Sequence, residues 1–262
     1  MVGYLSREFG YFETSFIYYS TEQKALNVRS FTPTGFEVDG AGHNLLGAVC
    51  AALLKGINIF EKQDSNHFVI MKETPISLSV SYENANQLPV VKMQQKPADI
   101  KKSAPPIMIA EAIGLTTDDL KVQDLIPTIV QTEVAHLMVP IKNSDILNSI
   151  KPDNKQLVEI SKQYQFEGFY CFALTGEKNA HIAESRFFNP LIGINEDAAT
   201  GTAAGPLAGF LHVNNFIQPN KEYQILQGVK LNQPSLIEVM VKEGGILVGG
   251  SSIITMEGKI YL

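Results

Sequence analysis

Along this chain, apolar positions recur at two different spacings, and the spacing changes mark its elements. Phe12 to Tyr19 is rich in aromatic and β-branched residues and Leu26 to Phe31 alternates, which predicts two short strands. Asn66 to Lys72 and Ile76 to Tyr82 read as a strand pair turning at Glu73, Thr74 and Pro75, with Val90 to Gln95 as a further strand. Lys96 to Pro106, polar and proline-rich, reads as a surface connection, and Ile107 to Gly114 as a short helix stopped by glycine. Thr128 to Pro140 is β-like and is expected to end at its proline. Asp145 to Ile150 and Asn154 to Tyr164 have helical character, and Gly168 to Thr175 reads as a strand. From Ser235 to Leu262 the pattern predicts a run of strands, turning at Gly244-Gly245, Gly249-Gly250 and Gly258.

Two segments fit neither amphipathic pattern. Leu45 to Leu54 and Ala203 to Leu211 are apolar on every face, and Pro206 is expected in the first turn of the second, where a proline is tolerated. A helix apolar all round must be surrounded by protein. Each of the two follows the same signal. Arg29-Ser30-Phe31-Thr32-Pro33 precedes Gly42-His43-Asn44, and Arg186-Phe187-Phe188-Asn189-Pro190 precedes Gly201-Thr202. Arg29 to Arg186 and Pro33 to Pro190 both span 157 positions, whereas Gly42 to Gly201 spans 159, so the second copy carries two extra loop residues. The economical arrangement is an α+β fold of two pseudo-symmetric domains, each a rolled mixed sheet wrapped around one apolar helix. Residues 1–96 form the first and 97–240 the second, with 241–262 returning to the first.

Composition narrows the function. The 262 residues are 45% hydrophobic and 18% charged, enough for a sizeable core, and the formal net charge of −6 argues against nucleic acid or an anionic membrane as partner. No basic-then-apolar leader opens the chain, and its longest apolar run is too short to span a bilayer, so a cytoplasmic protein is expected. The two cysteines, Cys50 and Cys171, sit in apolar runs and read as buried thiols; no Cys/His spacing suggests a metal site, and no cofactor is expected. The chemistry is expected at the two helix starts. Gly42 and Gly201 let a ligand approach the backbone, and the first helical turn offers N–H groups and partial positive charge, which suits a carboxylate. Both glycine turns also suit plain tight connections. Arg29 and Arg186, at matching positions, are expected to form structural ion pairs.

The segments EFGYFETSF, VRSFTP, GAGHNLLGA, RFFNP, GINEDAATGTAAGPLAGFL and ILQGVKLNQPS resemble, in order along almost the whole chain, the PhzF-like isomerases of phenazine biosynthesis. The resemblance implies the diaminopimelate epimerase fold and a cofactor-independent shift of a proton between carbons of a small carboxylate. It implies that Glu13 is the acid/base, that His43 and Asp197 are catalytic partners, and that Gly42, Asn44, Gly201 and Thr202 bind the substrate. A homodimer is also implied. Two departures stand out. The family pattern opens with a strand, a Gly-Asn-Pro turn and a helix, and this chain reads as starting in the last part of that helix, about 30 residues in. Ala198 stands where the family commonly has proline. Two-cysteine racemisation is excluded on placement, because Ala41 and Thr200 precede the two glycines. The competing readings are a non-catalytic small-carboxylate binder and a structural homodimer. They diverge at Glu13: a side chain turned to solvent favours the binder, and one turned inward favours the enzyme.

Overall fold

The computed structural model describes residues 2–11, 13–38, 42–57, 67–82, 88–176 and 180–261. In chain order the elements are α1 (Val2–Phe9), β1 (Thr14–Ser20), β2 (Ala25–Phe31), α2 (His43–Leu54), β3 (His67–Met71), β4 (Thr74–Ser81), β5 (Val90–Gln95), β6 (Asp99–Ser103), α3 (Pro106–Ala112), β7 (Thr128–Gln131), β8 (Ala135–Ile141), α4 (Ser144–Ser149), α5 (Asn154–Tyr164), β9 (Gly168–Leu174), β10 (Ala183–Asn189), β11 (Ile194–Asp197), α6 (Gly201–Val213), β12 (Tyr223–Gln227), β13 (Ser235–Lys242) and β14 (Gly245–Ser251). They fall into two compact units, residues 1–93 with 249–262, and residues 94–248.

In the first unit the strands run in the order β1-β2-β3-β4-β5. β1 pairs antiparallel with β2, β2 parallel with β3, and β4 antiparallel with both neighbours. One face of this sheet carries Leu26, Val28, Val69, Met71, Leu78 and Val91, and these pack on Leu45, Val49, Cys50 and Ala52 of α2. The helix is enclosed over most of its surface, but Leu54 at its C-terminal end reaches solvent.

The second unit orders its strands β13-β12-β10-β9-β8-β7-β6, with β11 attached to β10. Both faces are covered. On one side α6 packs against Tyr170, Phe172, Phe187, Ile225 and Val239, and every residue from Ala203 to Leu211 is buried. On the other, α3, α4 and α5 pack against Phe169, Cys171 and Phe188. β9 lies between the two layers, which is why its sequence is a continuous apolar run rather than an alternation. Two glycines set how closely α6 approaches its surroundings: a Cβ on Gly205 would come within 1.9 Å of Gln95 Oε1, and one on Gly209 within 2.1 Å of the Ala98 Cβ.

Several elements differ from the sequence reading, each for a local reason. The β3–β4 turn is Lys72-Glu73, both with positive φ, so Thr74 and Pro75 already lie in β4; without Gly or Asn, this turn carries no sequence signal. The connection after Lys96 contains β6, an edge strand exposed at all five positions, whose Asp99, Lys101 and Lys102 mask it as a loop. Thr128–Pro140 is two strands rather than one. Pro140 is accommodated inside β8, beyond Met138, the last residue that pairs with β7. Gly249 and Gly250 lie within β14 rather than at a turn, and residues 252–261 form no strand. Pro206 falls in the second turn of α6, where it withholds the N–H that Thr202 O would otherwise accept. Phe12, Asn66 and Ala41, used in the sequence reading, lie outside the described residues.

Cys50 and Cys171 are fully buried and unlinked. Burial pushes both thiols up, Cys171 to about 12, so neither is a nucleophile at neutral pH. No described helix is long and apolar enough to cross a membrane.

His136 in β8 has a measurable consequence. It is fully buried, its ring meets Phe187 edge-on at 5.3 Å, and neither ring nitrogen has a hydrogen-bond partner. Burial lowers its pKa from 6.5 to about 3, so it is neutral in the folded protein. The unfolded chain binds the proton first as pH falls. His136 therefore leaves stability unaffected above pH 6.5 and reduces it between 6.5 and about 3, at about 1.4 kcal/mol per pH unit. Urea midpoints compared at pH 7 and pH 4 are expected to fall less in His136→Leu than in the wild type.

Candidate active site

In the first unit, β1 and the start of α2 are tied together by hydroxyls. Ser15 Oγ lies 2.8 Å from Ser30 Oγ on the paired strand and donates to Asn44 O at 3.3 Å. Glu13 immediately precedes β1, two residues before Ser15. Its Oε2 is 3.2 Å from His43 Nε2 on the first turn of α2. The glutamate side chain is only 16% exposed and the histidine 44%. Glu13 Oε2 is itself buried and has no hydrogen-bond partner, the His43 contact being an ion-pair distance without hydrogen-bond geometry. Glu13 thus faces inward, not to solvent. A buried carboxylate oxygen without a donor costs about 1–3 kcal/mol or more, and such uncompensated groups persist mainly where function requires them.

The same helix start shows what Asn44 does. Its Oδ1 accepts from both Gly42 N and Leu45 N at 2.8 Å, so the side chain caps α2 from within. At Gly42 the feature left to a ligand is the missing side chain, since its N–H is engaged.

The second unit is built differently around the equivalent turn. Asp197 ends β11, and its Oδ2 accepts from Thr200 Oγ1 at 2.6 Å. Thr200 is the N-cap of α6, and its carbonyl accepts from Ala203 N and Ala204 N. No hydrogen bond within the described residues involves the N–H of Gly201, the N–H of Thr202 or the Thr202 hydroxyl. The first turn of α6 therefore leaves these donors unused within the described residues, whereas at the start of α2 Asn44 engages the N–H groups of Gly42 and Leu45.

The repeat is carried by ion pairs. Arg29 reaches Glu37 through Nε and Nη2 at 2.8 and 2.7 Å, and Arg186 reaches Glu196 through the same two nitrogens at 2.8 Å each. The carboxylates follow the 159-position offset of the glycines, which places the two extra residues between Pro190 and Glu196. Hydrogen bonding to Arg29 holds the Glu37 carboxyl below its usual value. Glu13 breaks the symmetry. Phe16 faces Arg29 and Cys171 faces Arg186, so three residues back the counterpart of Glu13 is Gly168. A Cβ there would lie 2.4 Å from the Phe187 ring. Only the first unit carries a carboxyl at this position.

A family model described as phenazine biosynthesis-like protein matches residues 3–258. The chain belongs to this family. It is similar to the trans-2,3-dihydro-3-hydroxyanthranilate isomerase of Pseudomonas aeruginosa, at 26% identity over 98% of this chain and 87% of that protein, and is itself an isomerase. The crystal structure of a PhzF-family phenazine biosynthesis protein from Bacillus anthracis superposes with a TM-score of 0.81, covering 95% of this chain and 85% of that one at 24% identity. A probable proline racemase of Agrobacterium radiobacter shares the fold alone, with a TM-score of 0.56 at 10% identity over 94% of this chain and 76% of that one. The family fold of rolled mixed sheets on central helices agrees with the architecture inferred from the repeat. Glu13, His43, Asn44 and Gly42 come together in the first unit, and Asp197, Gly201 and Thr202 in the second. Gln227, Tyr170, Thr200 and Ser15, whose hydrogen bonds hold the segments that carry these candidates, had no local signature in the sequence, because most of those bonds form across the sheet.

Proposed function

We propose that this isomerase moves a proton between two carbons of a small unsaturated carboxylate, with Glu13 as the single acid/base. The carrying observation is the Glu13 carboxylate oxygen, buried, without a hydrogen-bond donor and 3.2 Å from His43. In this reading Glu13 takes a proton from one carbon and becomes the neutral acid. The electron pair left behind delocalises into the conjugated carboxylate. Glu13 then returns a proton to a second carbon as the double bond shifts, so one C–H bond breaks, another forms, net charge is conserved and Glu13 ends as the carboxylate it began as. His43 orients the Glu13 carboxyl, and Asp197 holds the turn that presents Gly201 and Thr202. In the second unit, the N–H groups of Gly201 and Thr202 and the Thr202 hydroxyl form a turn suited to holding a carboxylate. Glycine at position 168, the repeat counterpart of Glu13, supports one acid/base rather than two. The family resemblance also supports a homodimer, expected to elute at twice the 28.8 kDa chain mass in light-scattering chromatography.

The substrate named for the Pseudomonas relative, trans-2,3-dihydro-3-hydroxyanthranilate, is the first compound to supply, with a panel of small unsaturated and amino carboxylates beside it. The expected result is conversion of at least one acid to its isomer, followed by NMR, with the carboxamide analogue unreactive. Equal turnover of acid and carboxamide would contradict the carboxylate assignment.

A further inference from the structure

Behind the α6 start lies a hydrogen-bonded chain whose direction is set by its main-chain ends. Gln227, the last residue of β12, is fully buried. Its Nε2 donates to Asp197 O at 2.8 Å, and its Oε1 accepts from Thr200 N at 3.2 Å. A carbonyl can only accept and an N–H can only donate, so the orientation of this carboxamide is fixed. The remaining bonds then run one way. Ser185 Oγ donates to Tyr170 OH at 3.0 Å, Tyr170 OH to Gln227 Oε1 at 2.9 Å, Gln227 Nε2 to Thr200 Oγ1 at 3.0 Å, and Thr200 Oγ1 to Asp197 Oδ2 at 2.6 Å. Each donor in such a series strengthens the next. Gly228 completes the support: at φ +82 it lets the chain pass Ala198, whose carbonyl oxygen would lie 2.8 Å from any Cβ there. Three bonds hold Asp197 and Thr200 to Gln227, and two of them end on main-chain groups, Asp197 O and Thr200 N, that cannot exchange roles.

We infer that Gln227, locked by Tyr170 and Ser185, is the positioning residue for the carboxylate-binding turn, setting where the Gly201 and Thr202 N–H groups point. It touches no substrate and acts through Thr200 and Asp197. This inference rests on the reading of the α6 start as the carboxylate site. Tyr170→Phe is the informative variant, because it removes one hydroxyl and keeps the ring that packs against Phe187.

The test titrates the full chain with benzoate and with benzamide, a charged acid and its neutral isostere, following the Gly201 and Thr202 amide signals by NMR. Wild type is expected to bind benzoate on the order of tenfold more tightly than benzamide, with the largest shifts at those two amides. In Tyr170→Phe benzoate binding is expected to weaken about three- to tenfold, the usual worth of one neutral hydrogen bond, with benzamide binding unchanged. Gln227→Leu, if folded, is expected to abolish the preference. Unchanged benzoate affinity in Tyr170→Phe, equal loss of both ligands, or no preference in the wild type would each overturn the inference. Glu13→Gln separates it from the isomerase mechanism. If that variant keeps the benzoate preference while the wild type isomerises no acid, positioning stands and the proposed reaction falls. If the wild type isomerises and Tyr170→Phe keeps the preference, the reverse holds.

Discussion

Replacing Glu13 by glutamine is expected to slow isomerisation by at least about 10²–10⁴-fold and to leave the protein no less stable than before. The two effects have one origin. Glutamine keeps the shape of the side chain but cannot take up and return a proton. It also removes a carboxylate oxygen that is buried without a donor, an arrangement that costs the folded state. Thermal unfolding of the variant is therefore expected at or above the wild-type temperature. An active Glu13→Gln protein would remove Glu13 from the chemistry, and a large drop in stability would show that the carboxylate is structural.

The largest stability effect is expected at Arg186. Its side chain is only 5% exposed, it forms the paired bonds to Glu196, and its Nη1 donates to Leu147 O and Ile150 O at the end of α4. Removing one partner of a buried pair leaves the other charge uncompensated, so Arg186→Met is expected to cost about 3–5 kcal/mol. Arg29 offers the internal control. It makes the same bidentate contact to Glu37 but is 46% exposed, where solvent screens the pair; Arg29→Met is expected to cost about 0–1 kcal/mol. Glu196→Gln added to Arg186→Met is expected to recover part of the loss. Denaturant unfolding of the four proteins checks these values, and equal costs at Arg29 and Arg186 would contradict the burial argument.

The contrast between those arginines also shows what the sequence could and could not reveal. Their matching positions, with the glycine-led apolar helices that follow, were enough to infer two related halves wrapped on central helices. The glutamates that pair with them repeat as well, at the 159-position offset of the glycines rather than the 157 of the arginines. What the residue pattern concealed depends on environment. β6 carries the charges that protect an edge, so it lacks the alternation of a half-buried strand. The Lys72-Glu73 turn adopts positive φ without the residues that usually announce it. At the site, Glu13 was found by family resemblance, since one acidic residue on a strand is ordinarily solvated. Asn44 was read as a ligand contact, and the structure shows its carboxamide oxygen spent on the cap of α2. Gln227 and Tyr170 are 57 residues apart in sequence and meet only through the sheet, so no spacing pattern could have paired them.

The most direct test of the proton-transfer account is the isomerisation run in heavy water with wild type and Glu13→Gln side by side, followed by mass spectrometry and NMR of recovered substrate and product. The account predicts isomerised product from the wild type, carrying deuterium at the receiving carbon in the fraction of turnovers in which the proton on Glu13 exchanges with solvent, and neither isomerisation nor deuterium with the variant. Deuterium incorporated equally by both proteins would place the acid/base elsewhere and contradict it.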